Sequence, residues 1–312
     1  MCRKIVFSVI IPHKNVPHLL QRCLNSIPRR EDIQIIVVDD NSDADKVDFV
    51  NFPGINDPFV EVVFGKNEDG RKGAGYARNL GLEQAKGKWL LFADADDFFT
   101  ENAFDYLFAY VDSEHEIIYY KVTSCYSDTY KKANRDKGVN SLIDNYVHKI
   151  KKSEDKIRYR HLPPWCKMIQ LKLIRRESIR FEEVIAANDR MFSIYSGHLS
   201  HSVMAIDKVI YCITVNKGSI GHTLSIDNLT SKYITTLRCN RFVRSIGKGY
   251  CQYSVLPDLY LSSKLNISTF YKFLKLAIYY KANPFVGISR SVSSAIFSYK
   301  ERKNNRKYIV KY

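Results

Sequence analysis

GAGYARNLGLEQAKGKWLLFADADDFF, residues Gly73 to Phe99, decides the fold. Its first half sets Ala74, Ala77, Gly81 and Ala85 at helical spacing, small residues that let one helix face lie close against a sheet. Gly87 is the expected helix stop. Trp89 to Ala93 is a continuous apolar run of strand length, the pattern of a strand covered on both faces. That strand delivers Asp94, Asp96 and Asp97 to the place where it leaves the sheet, and the carboxyl ends of such strands are where α/β sheets bind ligands. Three carboxylates gathered there repel one another unless a cation or a set of donors holds them. Oxygen ligands suit Mg2+ or Mn2+, ions that come with substrate phosphates.

Upstream, the same alternation repeats. Ile5 to Ile11 reads as a first buried strand, too short and lacking the small-residue cleavage site of a signal peptide. Pro12 is expected to end it, and Asn15 to cap a helix with Leu20, Cys23, Leu24 and Ile27 inward and Pro28 as its close. Ile33 to Val38 is a second strand running into Asp39-Asp40-Asn41-Ser42, and Val60 to Phe64 a third. In the loop that follows, Gly70-x-x-Gly73-x-Gly75 is glycine-rich but lacks the order of a P-loop. Strands alternating with helices at this spacing predict a mainly parallel α/β sheet with right-handed crossovers. Downstream, Thr100 is expected to cap a helix burying Phe104, Leu107, Phe108 and Val111, and Glu116 to Tyr120 is expected to be a strand. Ser124 to Leu162 reads as loops with one or two helices, and Lys208 to Thr214 as the last strand. Beyond Asn240 helical signals take over.

Composition bounds the class. The chain has 312 residues, 45% hydrophobic and 26% charged, as in a globular protein. No run reaches the ~18 uncharged apolar residues of a membrane span. Seven scattered cysteines without a CxxC pair give neither a zinc site nor a disulfide framework, and reduced thiols predict a cytoplasmic protein. His13 has no partner pattern, and His18, His148, His161, His198 and His201 form no metal-ligand spacing. The net charge of +15 is uneven: Arg241 to Tyr312 carries 14 Lys and Arg against Asp258 and Glu301, or +12. Lysines and tyrosines interleave there with a helical apolar pattern at Phe270, Phe273, Leu274, Ala277 and Ile278, as in helices that lie on an anionic membrane face.

The motifs in order resemble the inverting family 2 glycosyltransferases of GT-A fold, which include many bacterial polysaccharide transferases. Ser8 to Asn15 is similar to that family's opening strand and turn, and Ile36 to Ser42 to its nucleotide-binding acidic pair. Ala77-Arg78-Asn79, Ala85-Lys86-Gly87 and Asp94-Ala95-Asp96-Asp97 resemble its ARN, A-x-G and DxD elements. Lys167, Phe181 and Asn188-Asp189 fall where the family has a lysine, a phenylalanine and a Glu-Asp pair, with Asn188 replacing the acid.

The resemblance implies a Rossmann-like GT-A domain over residues 1–220, with a nucleotide-binding half at 1–122 and an acceptor half at 123–220. A basic helical extension follows over 221–312. It further implies inverting transfer from a nucleotide-diphosphate sugar, a UDP-sugar by first expectation, to a glycan or lipid-linked acceptor in cell-surface polysaccharide synthesis. The expected place is the cytoplasm, peripheral on the inner face of the membrane.

Asp189 is then the general base, and Asp96 the first choice of ligand for Mn2+ or Mg2+, with Asp94 and Asp97 as ribose contact, water-mediated ligand or alternative ligand. Pro12, Asn15, Asp39 and Asp40 contact the donor, Arg78 faces the diphosphate, and Lys217 with His222 reaches phosphates from a later loop. Two alternatives compete. A non-enzymatic nucleic-acid or membrane binder would use the basic tail but leaves the ordered acids unexplained. A D-x-D-x-[TV] phosphatase has Phe98 where Thr or Val belongs.

Overall fold

The computed structural model describes residues 4–65, 73–216 and 225–286. The chain divides into two compact units, Met1–Thr223 and Leu224–Tyr312.

The first unit follows the alternation read from the sequence: β1 (Phe7–His13), α1 (Pro17–Asn25), β2 (Ile33–Asp39), β3 (Val60–Phe64), α2 (Ala74–Gln84) and β4 (Trp89–Phe92). Next come β5 (Phe98–Phe99), α3 (Ala103–Phe108), β6 (Ile117–Tyr126), α4 (Lys137–Val147), α5 (Ser153–Arg160), β7 (Lys167–Gln170), α6 (Leu171–Arg176), α7 (Asp189–Leu199) and β8 (Val203–Val215). The sheet order is β3-β2-β1-β4-β7-β6-β8-β5. Its β3-β2-β1-β4 side is parallel throughout, and β6 and β8 are also parallel, whereas β7 is antiparallel to both neighbours and β5 to β8. β6 runs through residue 122, so the two halves expected on either side of that position share a strand.

The apolar runs of β1, β2 and β4 are buried on both faces because helices cover both. Odd-numbered residues such as Val9, Val37 and Leu91 pack with Leu20 and Leu24 of α1 and Leu107 of α3. Even-numbered Ile10, Ile36 and Phe92 pack with Ala77 and Leu82 of α2 and Phe192 of α7. Strand period and burial on both sides are therefore satisfied together.

Several local expectations change. Pro12 does not end β1, which continues to His13 with Pro12 opposite Val38. The carbonyl of Ile10 points to β4, accepting from Ala93, so Pro12 faces the same side just beyond the last β1–β4 pair. Its missing N–H therefore breaks no ladder bond. α1 is opened by Val16 and Pro17, not capped by Asn15, whose side chain exchanges hydrogen bonds with the Asp43 backbone N–H (2.7 Å) and carboxylate (3.0 Å). Asn15 itself has φ 59°, a left-handed conformation that Asn tolerates. Thr100 gives its hydroxyl to the Val209 carbonyl (3.0 Å), and Asn102 precedes α3 without a side-chain cap. The strand from Ile117 extends to Tyr126, into the stretch read as loops, and the last strand begins at Val203.

Gly87 is not the helix stop either. α2 ends at Gln84 and Ala85 is already extended. Glycine is required at 87 because a Cβ there would lie 2.5 Å from the Ser8 nitrogen and 2.6 Å from the Phe7 carbonyl carbon. The Ser8 hydroxyl accepts from the Gly87 N–H (2.8 Å) and donates to Gln34 (2.6 Å), tying the entry of β4 to β1 and β2. Gly81 plays the role the sequence predicts, since its Cβ would sit 2.5 Å from Ile10 Cγ2.

In the second unit, α8 (Ile226–Ser245) is capped by Ser225, and a short helical turn leads to α9 (Leu256–Leu265) and α10 (Ile267–Tyr279). Tyr233 stacks on Phe273 at 4.2 Å inside a cluster with Leu229, Leu237, Val255 and Leu259.

Gly87→Ala should destabilise the protein by about 1–3 kcal/mol, since the new methyl meets backbone that cannot move alone. Denaturant unfolding of the two proteins measures this, and an unchanged midpoint would refute the close-approach account.

Candidate active site

β4 ends at Phe92, and two residues later the chain folds over on itself, Asp97 N–H donating to the Asp94 carbonyl (3.0 Å). The Asp94 N–H donates to the Tyr211 hydroxyl (2.8 Å), and Tyr211 lies stacked on Trp165. β5 pairs with β8, which places Thr214 to receive the next acids. The Thr214 N–H donates to the buried Asp97 carboxylate (2.7 Å), and its hydroxyl donates to the Asp96 carbonyl (2.6 Å). Asn216 Nδ2 donates to the Asp96 carboxylate (2.9 Å), and Arg22 reaches the Asp96 carbonyl at 2.5 Å.

One oxygen from each of Asp94, Asp96 and Asp97 lies within 4.8 Å of the others. Burial, then the charge of Asp94, raises the pKa of Asp96. Burial, then Asp96 and Asp94, pushes Asp97 well above the carboxylate range. An all-oxygen, mutually repelling set of this kind fits a hard divalent cation, which would relieve the repulsion that raises both pKa values.

Arg78 joins this cluster to the next element. It is buried, its Nη2 pairs with Asp94 (2.6 Å), its Nη1 donates to the Asn188 side-chain oxygen (2.9 Å), and its guanidinium lies 5.4 Å from the Phe181 ring centre. Phe181 is itself stacked on Phe192 of α7 at 3.8 Å. The neighbouring Asn79 clamps the same segment, accepting from the Phe181 N–H (2.9 Å) and donating to the Phe181 carbonyl (3.0 Å) and Glu183 (3.1 Å). At Gly75 the backbone oxygen of Glu182 occupies the place a Cβ would take, so α2 and this segment touch directly. Asn188 precedes α7 and Asp189 is its first residue. Burial raises the pKa of Asp189, with Arg78 and Arg190 opposing and Asp94 adding to the rise. Arg78, expected to face a diphosphate, thus has both terminal nitrogens engaged within the protein while Nε is buried without a partner.

The acidic pair at the end of β2 separates into two roles. Asp39 is buried and held by His13 Nδ1 (2.8 Å), the Ser42 N–H (2.9 Å) and the Ser42 hydroxyl (2.5 Å). Val16 N–H donates to His13 Nε2 (3.1 Å), so the proton on the ring sits at Nδ1 and is given to Asp39. Burial acts to raise the Asp39 pKa, but the His13 and Ser42 bonds bring it below the ordinary value. Its carboxylate is occupied in tying the end of β1 to the end of β2 and to the turn that follows it. Asp40 accepts from the Gly73 N–H through both oxygens (2.9 Å each), at the start of α2. Pro12 lies within β1 and Asn15 is engaged with Asp43. Lys217, His222 and most of the glycine-rich loop lie outside the described residues.

A buried amine sits behind α7. Lys167 Nζ donates to the His161 carbonyl (2.7 Å) and the Ser193 hydroxyl (3.0 Å), 5.4 Å from the Tyr119 ring centre. Burial lowers its pKa to about 7, with Cys166 and Asp189 opposing the fall. Burial and the neighbouring Lys167 also keep His161 well below its usual pKa. Ser193 is one turn after Asp189, so Lys167 anchors the turn that carries that carboxylate. Sequence reasoning missed Arg22, Tyr211, Thr214 and Asn216. The first lies far upstream in a helix read only for its apolar face, and the others acquire their roles from the β5–β8 pairing, which two residues of strand do not announce.

The model of glycosyl transferase family 2 matches residues 8–179. The chain belongs to that family. It is 24% identical over 237 residues to the poly(ribitol-phosphate) β-N-acetylglucosaminyltransferase TarS of Staphylococcus aureus, covering 73% of this chain and 38% of TarS. It is 25% identical over 233 residues to glycosyltransferase GlyA of Streptococcus pneumoniae, covering 68% of this chain and 31% of GlyA. The chain therefore spans well under half the length of these curated relatives. The crystal structure of S. aureus TarS 1–349 in complex with UDP-GlcNAc shares the fold with a TM-score of 0.59 at 19% identity, over 92% of this chain and 76% of that one. The mannosyltransferase PcManGT from Pyrobaculum calidifontis, in complex with GDP-Man and Mn2+, gives 0.52 at 16% identity, over 97% of this chain and 83% of that one. The mixed α/β sheet is thus that of the GT-A glycosyltransferases, as the family 2 resemblance implies.

Between pH 7 and the ordinary lysine pKa, the unfolded chain holds a proton on Lys167 that the folded chain lacks. Folding stability from this group therefore rises as pH increases across that window. The stability of wild type relative to Lys167→Met should grow from pH 7 to pH 9.5 in parallel thermal melts. A difference independent of pH would refute the buried-lysine titration.

Proposed function

We propose that this protein transfers a sugar from a nucleotide-diphosphate sugar to an acceptor hydroxyl with inversion at the anomeric carbon. The observation that carries this is the chain of contacts from the Asp94, Asp96 and Asp97 cluster through Arg78 to Asn188, next to Asp189. Family membership supports the reaction class. The UDP-GlcNAc bound to the TarS structure supports a UDP-sugar as donor, and the polymer named for TarS supports a cell-surface glycan or its lipid-linked precursor as acceptor.

Asp189 is the general base. Its burial-raised pKa brings it toward the working pH, where a carboxylate removes a proton best. The acceptor hydroxyl gives its proton to Asp189 as its oxygen attacks C1. The bond from C1 to the diphosphate oxygen breaks on the opposite face, and the nucleoside diphosphate leaves with the electron pair. A single displacement of this kind inverts C1.

Asp96, with Asp94 or Asp97, would hold Mn2+ or Mg2+, and the Mn2+ in the PcManGT complex supports that choice. When bound, such an ion neutralises charge on the diphosphate oxygens. Asp40 takes the base or ribose at the mouth of β2. Arg78 fixes Asp94 on one side and the turn before Asp189 on the other, which keeps the donor and acceptor halves in register. The reaction is assigned to the cytoplasm, the compartment in which scattered thiols such as these stay reduced.

Asp189→Asn should lower the transfer rate by at least about 100-fold, the scale of general-base catalysis, while donor affinity stays within a few-fold. Transfer assays across a panel of nucleotide sugars, with calorimetry of donor binding with and without Mn2+, measure both. Full activity of Asp189→Asn would remove the base assignment, and failure of every nucleotide sugar to bind would remove the reaction itself.

A further inference from the structure

α10 is apolar on more than the side it buries. Phe273 and Thr269 are buried, and Phe270, Leu274 and Ala277 pack against the core of the second unit. The opposite face is also rich in large apolar groups: Ile267 is 65% exposed, Tyr271 58%, Ile278 77% and Tyr279 72%. Among the described residues no side chain covers this apolar outward side, and water alone does not favour that pattern. Lys272 and Lys275 stand on the same outward face, in the i, i+3, i+4 rhythm of Ser268, Tyr271, Lys272, Lys275 and Ile278. On α9, Tyr260 is likewise exposed with Lys264 beside its ring, and the exposed Phe285 follows α10. From Leu259 to Val286 the sequence has four lysines and no acid.

We propose that the outward face of α9 and α10 docks on an anionic lipid bilayer. Charge complementarity selects this occupant. Lysines meet acidic headgroups, tyrosines suit the headgroup boundary, and Ile267 and Ile278 enter the acyl region beneath. A second copy on this face would bring the lysines of both copies into one interface, with no acid between Leu259 and Val286 to answer them. A nucleic acid would satisfy the lysines but offers nothing to the exposed isoleucines. Among the described residues no helix is long and apolar enough to cross a membrane, and the proposed docking is that of a face lying on the bilayer surface. Docking is separable from sugar transfer, and the test reads binding alone.

The full chain is sedimented with vesicles of phosphatidylcholine and with vesicles containing phosphatidylglycerol. It should partition to the anionic vesicles and release as salt rises. The double variant Lys272→Glu, Lys275→Glu should lose roughly tenfold or more of that partitioning. Ile278→Ser with Tyr279→Ser should weaken it severalfold at every salt concentration, because those groups act by burial. All four positions are exposed, so thermal melts of the variants should match wild type. Three results each overturn the proposal: equal binding to both vesicle types, no binding to either, or wild-type binding by both variants, which would assign attachment to residues outside this face. Retention on single-stranded RNA without vesicle binding also overturns it, in favour of a nucleic-acid surface.

Discussion

Three carboxylates within 4.8 Å of one another are costly to bring together, and much of the first unit is arranged around meeting that cost. β4 supplies the rigid end from which they project. β8 supplies a backbone N–H to Asp97 and a threonine hydroxyl to the Asp96 carbonyl, and Asn216 follows with a side-chain donor. α2 supplies the one formal cation in direct contact with Asp94 among the described residues. The mixed sheet makes sense in this light. A purely parallel sheet would end at the carboxylates, whereas the β5–β8 pairing folds the chain back over them and brings donors from a segment more than a hundred residues later.

Much of this was legible in the sequence because the signals were local. The apolar runs at Ile33–Val38 and Trp89–Ala93, the small residues of α2 and the clustered aspartates each report their own surroundings. What was misread depended on distant partners. Gly87 looked like punctuation, and only the passage of Ser8 against it explains why a side chain is excluded. Asn15 and Thr100 have the composition of helix caps, but Asp43 and Val209 compete for their polar groups. Asp39 and Asp40 are adjacent and chemically alike, and nothing in sequence separates an acid absorbed by a histidine and a serine from one that reaches the start of α2.

Lys167 illustrates the same limit from the other side. Its position matched a family pattern, yet the pattern carries no physical reason for a lysine. The structure supplies one in its bonds to His161 and Ser193, which fasten the first turn of α7 from behind. An amine in that place holds the helix start by hydrogen bonding, and the desolvation that charging it would cost shows in its lowered pKa. The site is thus supported by groups that never need to touch a substrate.

Arg78 has a consequence that static contacts do not display. It is shared, one nitrogen on Asp94 and the other on Asn188, with Asp189 in its field. A neutral asparagine shares the guanidinium without cancelling its charge, so Asp94 alone balances it through direct contact. Any event that draws negative charge away from Asp94 leaves Arg78 more positive toward Asp189 and strengthens that residue's hold on its ionised form. Linkage makes the effect reciprocal: the proton affinity of Asp189 and the ligand affinity of the acidic cluster are two readings of one coupling energy. The two ends of the site are thus joined through one guanidinium.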